Sequence, residues 1–151
     1  MREITVLPSP SGASVEVDIA PRQNSTHALR LSTSELTRSI VVITAHGDID
    51  ASNADELLDG VGDALGLHHG VIIDLTAVKF FGTEGLSVLH AINGALEQPR
   101  RMALVPSSAV TRVVRLWTPP STVGVAFDVD SALAAMQSQL RPVLRLVTGA
   151  D

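Results

Sequence analysis

Val71-Ile-Ile-Asp-Leu75, continuing through Thr76-Ala-Val-Lys-Phe80-Phe-Gly-Thr83-Glu-Gly85-Leu86, is the stretch whose reading decides the fold. An unbroken apolar run rich in β-branched residues, ending in Asp74 and Leu75, reads as a strand covered on both faces, the mark of a parallel sheet. Gly82-Thr83-Glu84-Gly85 then opens a helix, whose apolar stripe is Leu86, Leu89, Ile92 and Leu96. In open α/β sheets, ligands and partners are met at the carboxyl ends of strands, so function is expected at Gly82 to Gly85.

Working outward, the punctuation of the chain places the other elements. On the amino-terminal side, Ala28–Ser32 and Ile40–Thr44 read as strands of a β-hairpin around Thr33–Ser39. Asp50, Ser52 or Asn53 caps a helix to about Leu65, in which Ala54, Leu57, Val61, Ala64 and Leu65 recur at helical spacing. On the carboxyl-terminal side, Met102–Val105 is a strand, and Ser107 or Ser108 caps a helix to about Trp117. Pro119-Pro120 forbids its continuation. Val123–Phe127 is the last strand, and Asp130 or Ser131 caps a helix from Ala132 to about Leu140. The expected fold is α/β, a mixed β-sheet opened by a β-hairpin with about four α-helices packed on it. Residues 1–27 hold three of the eight prolines and one alternating patch, Val15–Ala20. They read as a loosely ordered extension with one added strand. The domain proper spans 28–140, and 141–151 is a carboxyl-terminal tail.

Composition excludes several functions. With 151 residues, 45% of them apolar and 18% charged, the chain suits one domain with a modest core. Its net charge of −5 is dispersed, and without a basic footprint nucleic acid is not an expected partner. Zero cysteines removes disulfides, thiolate metal sites and thiol nucleophiles together. Of the five histidines only His68 and His69 adjoin, and they read as solvated turn residues, so no metal and no cofactor is expected. No apolar stretch approaches the roughly 20 residues that cross a bilayer, and the amino terminus lacks an apolar signal region. The expectation is a cytoplasmic protein without membrane contact. Gly60-Val-Gly62-Asp-Ala-Leu-Gly66 imitates a dinucleotide loop, but it lies inside a helix where such a loop needs a strand-to-helix turn. Thr83 lacks an evident base, and His46 and His90 have no motif linking them to it, so no catalytic residue is assigned.

Thr83 carries two readings. As an N-cap, its hydroxyl would accept a helix amide. As a phosphoacceptor, it would present that hydroxyl at a loop tip beside Gly82, where phosphorylation adds roughly two negative charges at a helix start. Of Phe80 and Phe81, one is expected in the core and the other beside Thr83. Arg112 and Arg115 share a helix face and read as a solvated basic stripe, with partner docking beside Trp117 as the alternative.

Three stretches carry a resemblance to a known family. Gly47-Asp-Ile-Asp50-Ala-Ser-Asn-Ala is similar to the Gly-Glu-Leu-Asp opening of helix one, and Val71-Ile-Ile-Asp74-Leu to the central strand. Phe80-Phe-Gly-Thr83-Glu-Gly85-Leu86 is similar to the signature Phe-Ile-Asp-Ser-Ser-Gly-Leu of the STAS domain, in particular of single-domain anti-sigma-factor antagonists. Gly82 stands where that family has Asp, and Glu84 where it has a second Ser. The resemblance covers Ser39 to Leu140. It implies a binding protein that captures an anti-sigma factor, commonly a GHKL-type serine/threonine protein kinase, and so frees a sigma factor for transcription. It also implies phosphorylation at Thr83 by that kinase, reversal by a phosphatase, and a partner-binding surface of Asp50, Asp74, Phe81, Gly82, Thr83 and Glu84. A ligand- or nucleotide-sensing STAS module, or a scaffold subunit, is the alternative function.

Overall fold

The structure is a computed structural model that describes residues 4–8, 15–19, 28–97, 100–120 and 122–140. The tail expected at 141–151 lies outside the described residues. Among the described residues, seven strands form one sheet: β1 (Ile4–Pro8), β2 (Val15–Ile19), β3 (Leu29–Glu35), β4 (Ile40–Ile49), β5 (Gly70–Phe81), β6 (Arg101–Pro106) and β7 (Val123–Val125). They lie side by side in chain order. The first three pairings are antiparallel, and those from β4 to β7 are parallel. The expected hairpin is present as β3 and β4, but the sheet begins one hairpin earlier. The segment before residue 28 contains two strands, β1 beside the expected β2. Prolines at 8 and 10 read as loop, yet Pro8 ends the outermost described strand, and an edge strand is where a sheet admits proline.

The described residues also form four helices: α1 (Ala54–Leu65), α2 (Thr83–Ala95), α3 (Ser108–Trp117) and α4 (Val129–Leu140). Their placement follows from strand order. Each parallel step from β4 to β7 advances in one direction, and right-handed crossovers therefore put α1, α2 and α3 on the same face. That face holds the larger core, where Leu57 and Val61 of α1, Leu89 and Ile92 of α2 and Val110 and Val114 of α3 meet Ile43, Ile49, Ile73, Leu75 and Leu104. α4 follows β7, the last described strand, and leads to no further described crossover. It covers the opposite face, where Ala132 and Met136 pack on Ile40, Val42, Ile72, Ala103 and Val105.

Helix starts differ in detail from expectation. The Ser107 hydroxyl caps α3, accepting the Val110 amide at 3.3 Å, and donates to the Val78 carbonyl at 2.8 Å, which fastens α3 to β5. α4 is capped by Asp128, not by Asp130 or Ser131: its Oδ1 accepts the Ser131 amide at 2.7 Å. That backbone hydrogen bond, and a weaker one from the Ser131 side chain, hold the Asp128 carboxyl below its ordinary range. Of the neighbouring histidines, His69 is exposed. His68 is buried, with Nδ1 2.9 Å from the Ala64 carbonyl and Nε2 3.2 Å from Glu35 Oε2. The expectation of a solvated pair fails for His68 because its ring closes the gap between the end of α1 and β3.

Two irregularities shape the upper half of the sheet. Gly47 in β4 has φ +110°, and a Cβ there would overlap the Ala28 carbonyl oxygen, which accepts the Asp48 amide. Only glycine meets both demands. Against β4, β5 carries two extra residues: Thr44 and His46 oppose Asp74 and Ala77, and Gly47 and Asp48 oppose Val78 and Phe80. Such bulges bend a strand and re-aim its side chains. β5 thus runs well past Leu75, where its pairing with β6 ends at Pro106.

Candidate functional site

β4 and β5 end together. Ile49 pairs with Phe81, and the Gly82 amide donates to the Ile49 carbonyl at 2.9 Å, so the corner after β4 and the turn into α2 form one rim. The β4 corner is closed by polar side chains. Asp50 Oδ1 accepts the Ser52 amide at 2.8 Å and also the Ser52 hydroxyl. Asn53, only 1% exposed, accepts the Asp50 amide through Oδ1 at 3.0 Å and donates through Nδ2 to the Asp48 carbonyl at 2.9 Å. The Asn53 backbone stands at the cap position of α1, but its side chain is spent on the corner and makes no cap bond. Asp55 and Glu56 follow in the first turn, where carboxylates favour the helix dipole.

The turn into α2 overturns the capping reading of Thr83. Gly82 is the cap residue, in extended backbone at φ −79° and ψ 173°, and no side chain caps α2. Thr83 is the first helical residue, one position too late for its hydroxyl to reach the amides an N-cap serves. The Gly85 amide is satisfied by the Gly82 carbonyl at 3.0 Å. The Thr83 side chain is exposed, and its hydroxyl donates to Glu84 Oε2 at 3.2 Å. One turn on, Ser87 is also exposed and donates to the Thr83 carbonyl at 3.3 Å.

The two phenylalanines divide as expected, but in the order opposite to the assigned surface. Phe81 is 4% exposed and belongs to the core, where its ring lies against Gly85. Phe80 is 50% exposed, with Cε2 3.5 Å from the position a Cβ on Gly82 would take. Phe81 therefore supports the surface from beneath, and Phe80 is the aromatic on it. The bulge between Gly47 and Asp48 decides which of the pair turns inward, and residue alternation does not reveal it.

Asp74 does not join this rim. Its partner on β4 is Thr44, five residues before Ile49, which puts it about 17 Å down the strand from Phe81. Its neighbour Ile72 faces α4, and Asp74 Oδ1 is engaged locally, accepting the Thr76 amide at 3.0 Å and hydroxyl at 2.7 Å. The sequence places this strand's end at Leu75, whereas β5 continues to Phe81, and that extension separates the carboxylate from the helix start. Asp50, Gly82, Thr83 and Glu84 are brought together, with Phe80 added. Arg112 and Arg115 are exposed on α3, while Trp117 is half-buried with its ring edge-on to His90 at 6.3 Å. Among the described residues, no group of three or more His, Asp or Glu side chains could hold a metal ion. No described helix is long and apolar enough to cross a membrane.

The architecture agrees with that of known proteins. The anti-sigma-F factor antagonist RsfB of Mycobacterium tuberculosis, strains H37Rv and CDC 1551, is 31% identical over 74 residues, which is 48% of this chain and 61% of the relative. The chain thus spans about three fifths of the length of the curated relatives it matches. The crystal structure of an anti-sigma factor antagonist from Mycobacterium paratuberculosis superposes with a TM-score of 0.64 at 25% identity, covering 78% of this chain and 98% of that one. SpoIIAA in its unphosphorylated form shares the fold, with a TM-score of 0.61 at 19% identity over 72% of this chain and 96% of that one. The family model of the STAS domain matches residues 33–116, more than half of the sequence, from the end of β3 through most of α3. By that match the chain belongs to the STAS-domain family.

Proposed function

We propose that this chain is an anti-sigma factor antagonist: it binds an anti-sigma factor through the rim of Asp50, Phe80, Gly82, Thr83 and Glu84 and so releases a sigma factor for transcription. The observation that carries the reading is the Thr83 hydroxyl, exposed on the first turn of α2 and unused for capping. The family supplies the class of protein, a regulatory binding module. The partner in this reading is a GHKL-type kinase that phosphorylates Thr83, with a phosphatase to reverse it, all in the cytoplasm. Residues 28–140 form the regulatory domain, and 1–27 extend it.

Phosphorylation would act by charge. A phosphate on Thr83 adds roughly two negative charges beside Glu84 and near Asp50, on a surface a partner must desolvate. The start of α2 tolerates that charge, since helix N-termini favour anions. The fold would persist while docking fails. The test is capture of partners from native-host lysate on wild type and on Thr83→Glu, followed by titration of the retained anti-sigma factor. The expected result is retention by wild type and affinity at least about 10-fold weaker for Thr83→Glu, as a misplaced like charge commonly costs. Retention by neither form would overturn the function, and equal affinities would overturn the switch.

A further inference from the structure

The Glu84 side chain folds backward over the helix start. One carboxylate oxygen, Oε1, lies 2.7 Å from the point where a Cβ on Gly82 would stand, and the other, Oε2, accepts the Thr83 hydroxyl at 3.2 Å. The carboxylate therefore occupies the space that glycine leaves open at position 82 and holds the proton side of the Thr83 hydroxyl. With the proton so engaged, an oxygen lone pair is left toward solvent, the orientation in which a nucleophile meets an incoming phosphorus.

We infer that Glu84 is the positioning residue for phosphoryl transfer to Thr83, through a hydrogen bond that the missing side chain at Gly82 makes room for. The inference rests on the proposed phosphorylation of Thr83. In the transfer step, Thr83 Oγ1 forms a bond to the γ-phosphorus of the nucleoside triphosphate held by the kinase. The bond from that phosphorus to the β–γ bridging oxygen breaks, and the nucleoside diphosphate leaves with its electron pair. The hydroxyl proton is released to water as the oxygen–phosphorus bond forms, Glu84 having held the hydroxyl in line until then. Phosphoryl transfer depends mainly on placing the nucleophile in line, so loss of the group that orients the hydroxyl lowers turnover more than docking.

The test uses the full chain with each purified GHKL-type kinase encoded by the source genome and radiolabelled ATP, following label on Thr83 and separating kcat from KM. Glu84→Ala is expected to lower kcat about 10- to 100-fold, a larger factor than the rise in KM that follows from its place on the rim, and Glu84→Gln, which keeps an acceptor oxygen, to fall between. A second variant controls for helix stability. Gly82 has extended backbone that any residue adopts, so Gly82→Asp in the Glu84→Ala background returns a carboxylate to the vacated space and should recover most of kcat. A wild-type kcat for Glu84→Ala, a loss confined to KM, or no recovery in the double variant would overturn the positioning role while leaving the switch intact. Absence of label on wild type with every kinase would overturn both, and is told apart because wild type itself is silent.

Discussion

Replacing Gly85 with alanine probes how closely α2 sits on β5. The added methyl would lie 2.5, 2.6 and 2.9 Å from Cε1, Cζ and Cδ1 of Phe81. Ordinary carbon contacts are about 3.5–4.0 Å, so helix and ring must separate by about 1 Å. The ring has nowhere to go, since Phe81 is 4% exposed among packed neighbours. Overpacking of this kind costs about 1–3 kcal/mol, offset by the about 0.5–1 kcal/mol a helix gains when alanine replaces glycine. The net expectation is a loss of about 1–2 kcal/mol. Phe81→Val removes all three clashing atoms and on its own costs about 2–3 kcal/mol. In that background the Gly85→Ala methyl meets no ring and fills part of the space left behind, so the second substitution changes sign and stabilises by about 0.5–1 kcal/mol. Urea unfolding of the four proteins, read by far-ultraviolet circular dichroism and by the fluorescence of Trp117, the single tryptophan, supplies the cycle. Additivity within about 0.5 kcal/mol would refute the claim that Gly85 is required by the Phe81 ring.

Gly47→Ala should destabilise by about 2–4 kcal/mol, combining about 1–3 for a strained backbone with about 1 for the Asp48-to-Ala28 hydrogen bond that the methyl displaces. A shift in urea midpoint equivalent to less than about 0.5 kcal/mol would refute it. Asp128 governs an acid-side loss. Its carboxyl is held below the ordinary value of 3.8, so its contribution is complete above that value and disappears as pH falls through the lowered one. Between about pH 5 and about pH 2, wild type should therefore lose more stability than Asp128→Asn, whose amide oxygen caps Ser131 without a charge to lose, and parallel losses in urea titrations would count against the cap.

What the sequence made legible was whatever depends on local pattern. Val71-Ile-Ile-Asp-Leu announced a central parallel strand, the spacing of Leu57, Val61 and Ala64 announced α1, and the Ser107-Ser108 pair before an amphipathic run announced the start of α3, of which Ser107 is the cap. Gly47-Asp-Ile-Asp50 and Phe80-Phe-Gly-Thr83 marked the two parts of the rim, which the Ile49–Phe81 pair then joined. The misreadings arose where register overrides pattern. Two extra residues in β5 extend that strand to Phe81, carry Asp74 away from the helix start and choose Phe81 over Phe80 for the core, and none of this alters the local apolar pattern. Thr83 failed as a cap by a single position, finer than spacing resolves. Asn53 was legible as a polar residue at a helix start, but its bonds to Asp48 and Asp50 depend on how tightly the corner folds back.

The identity of strand order and chain order has a consequence for how this protein is made. Every strand's sheet neighbour is also its neighbour in sequence, so no late segment must be threaded between two strands already paired. The sheet can grow in the direction of synthesis, each β-strand and crossover helix docking on the edge left by the one before, with the short β7 as the last addition. Loop closures then stay short, and low sequence separation between contacts favours rapid folding. The half-finished chain on the ribosome would expose one growing edge, and the segment next to emerge is the one built to cover it.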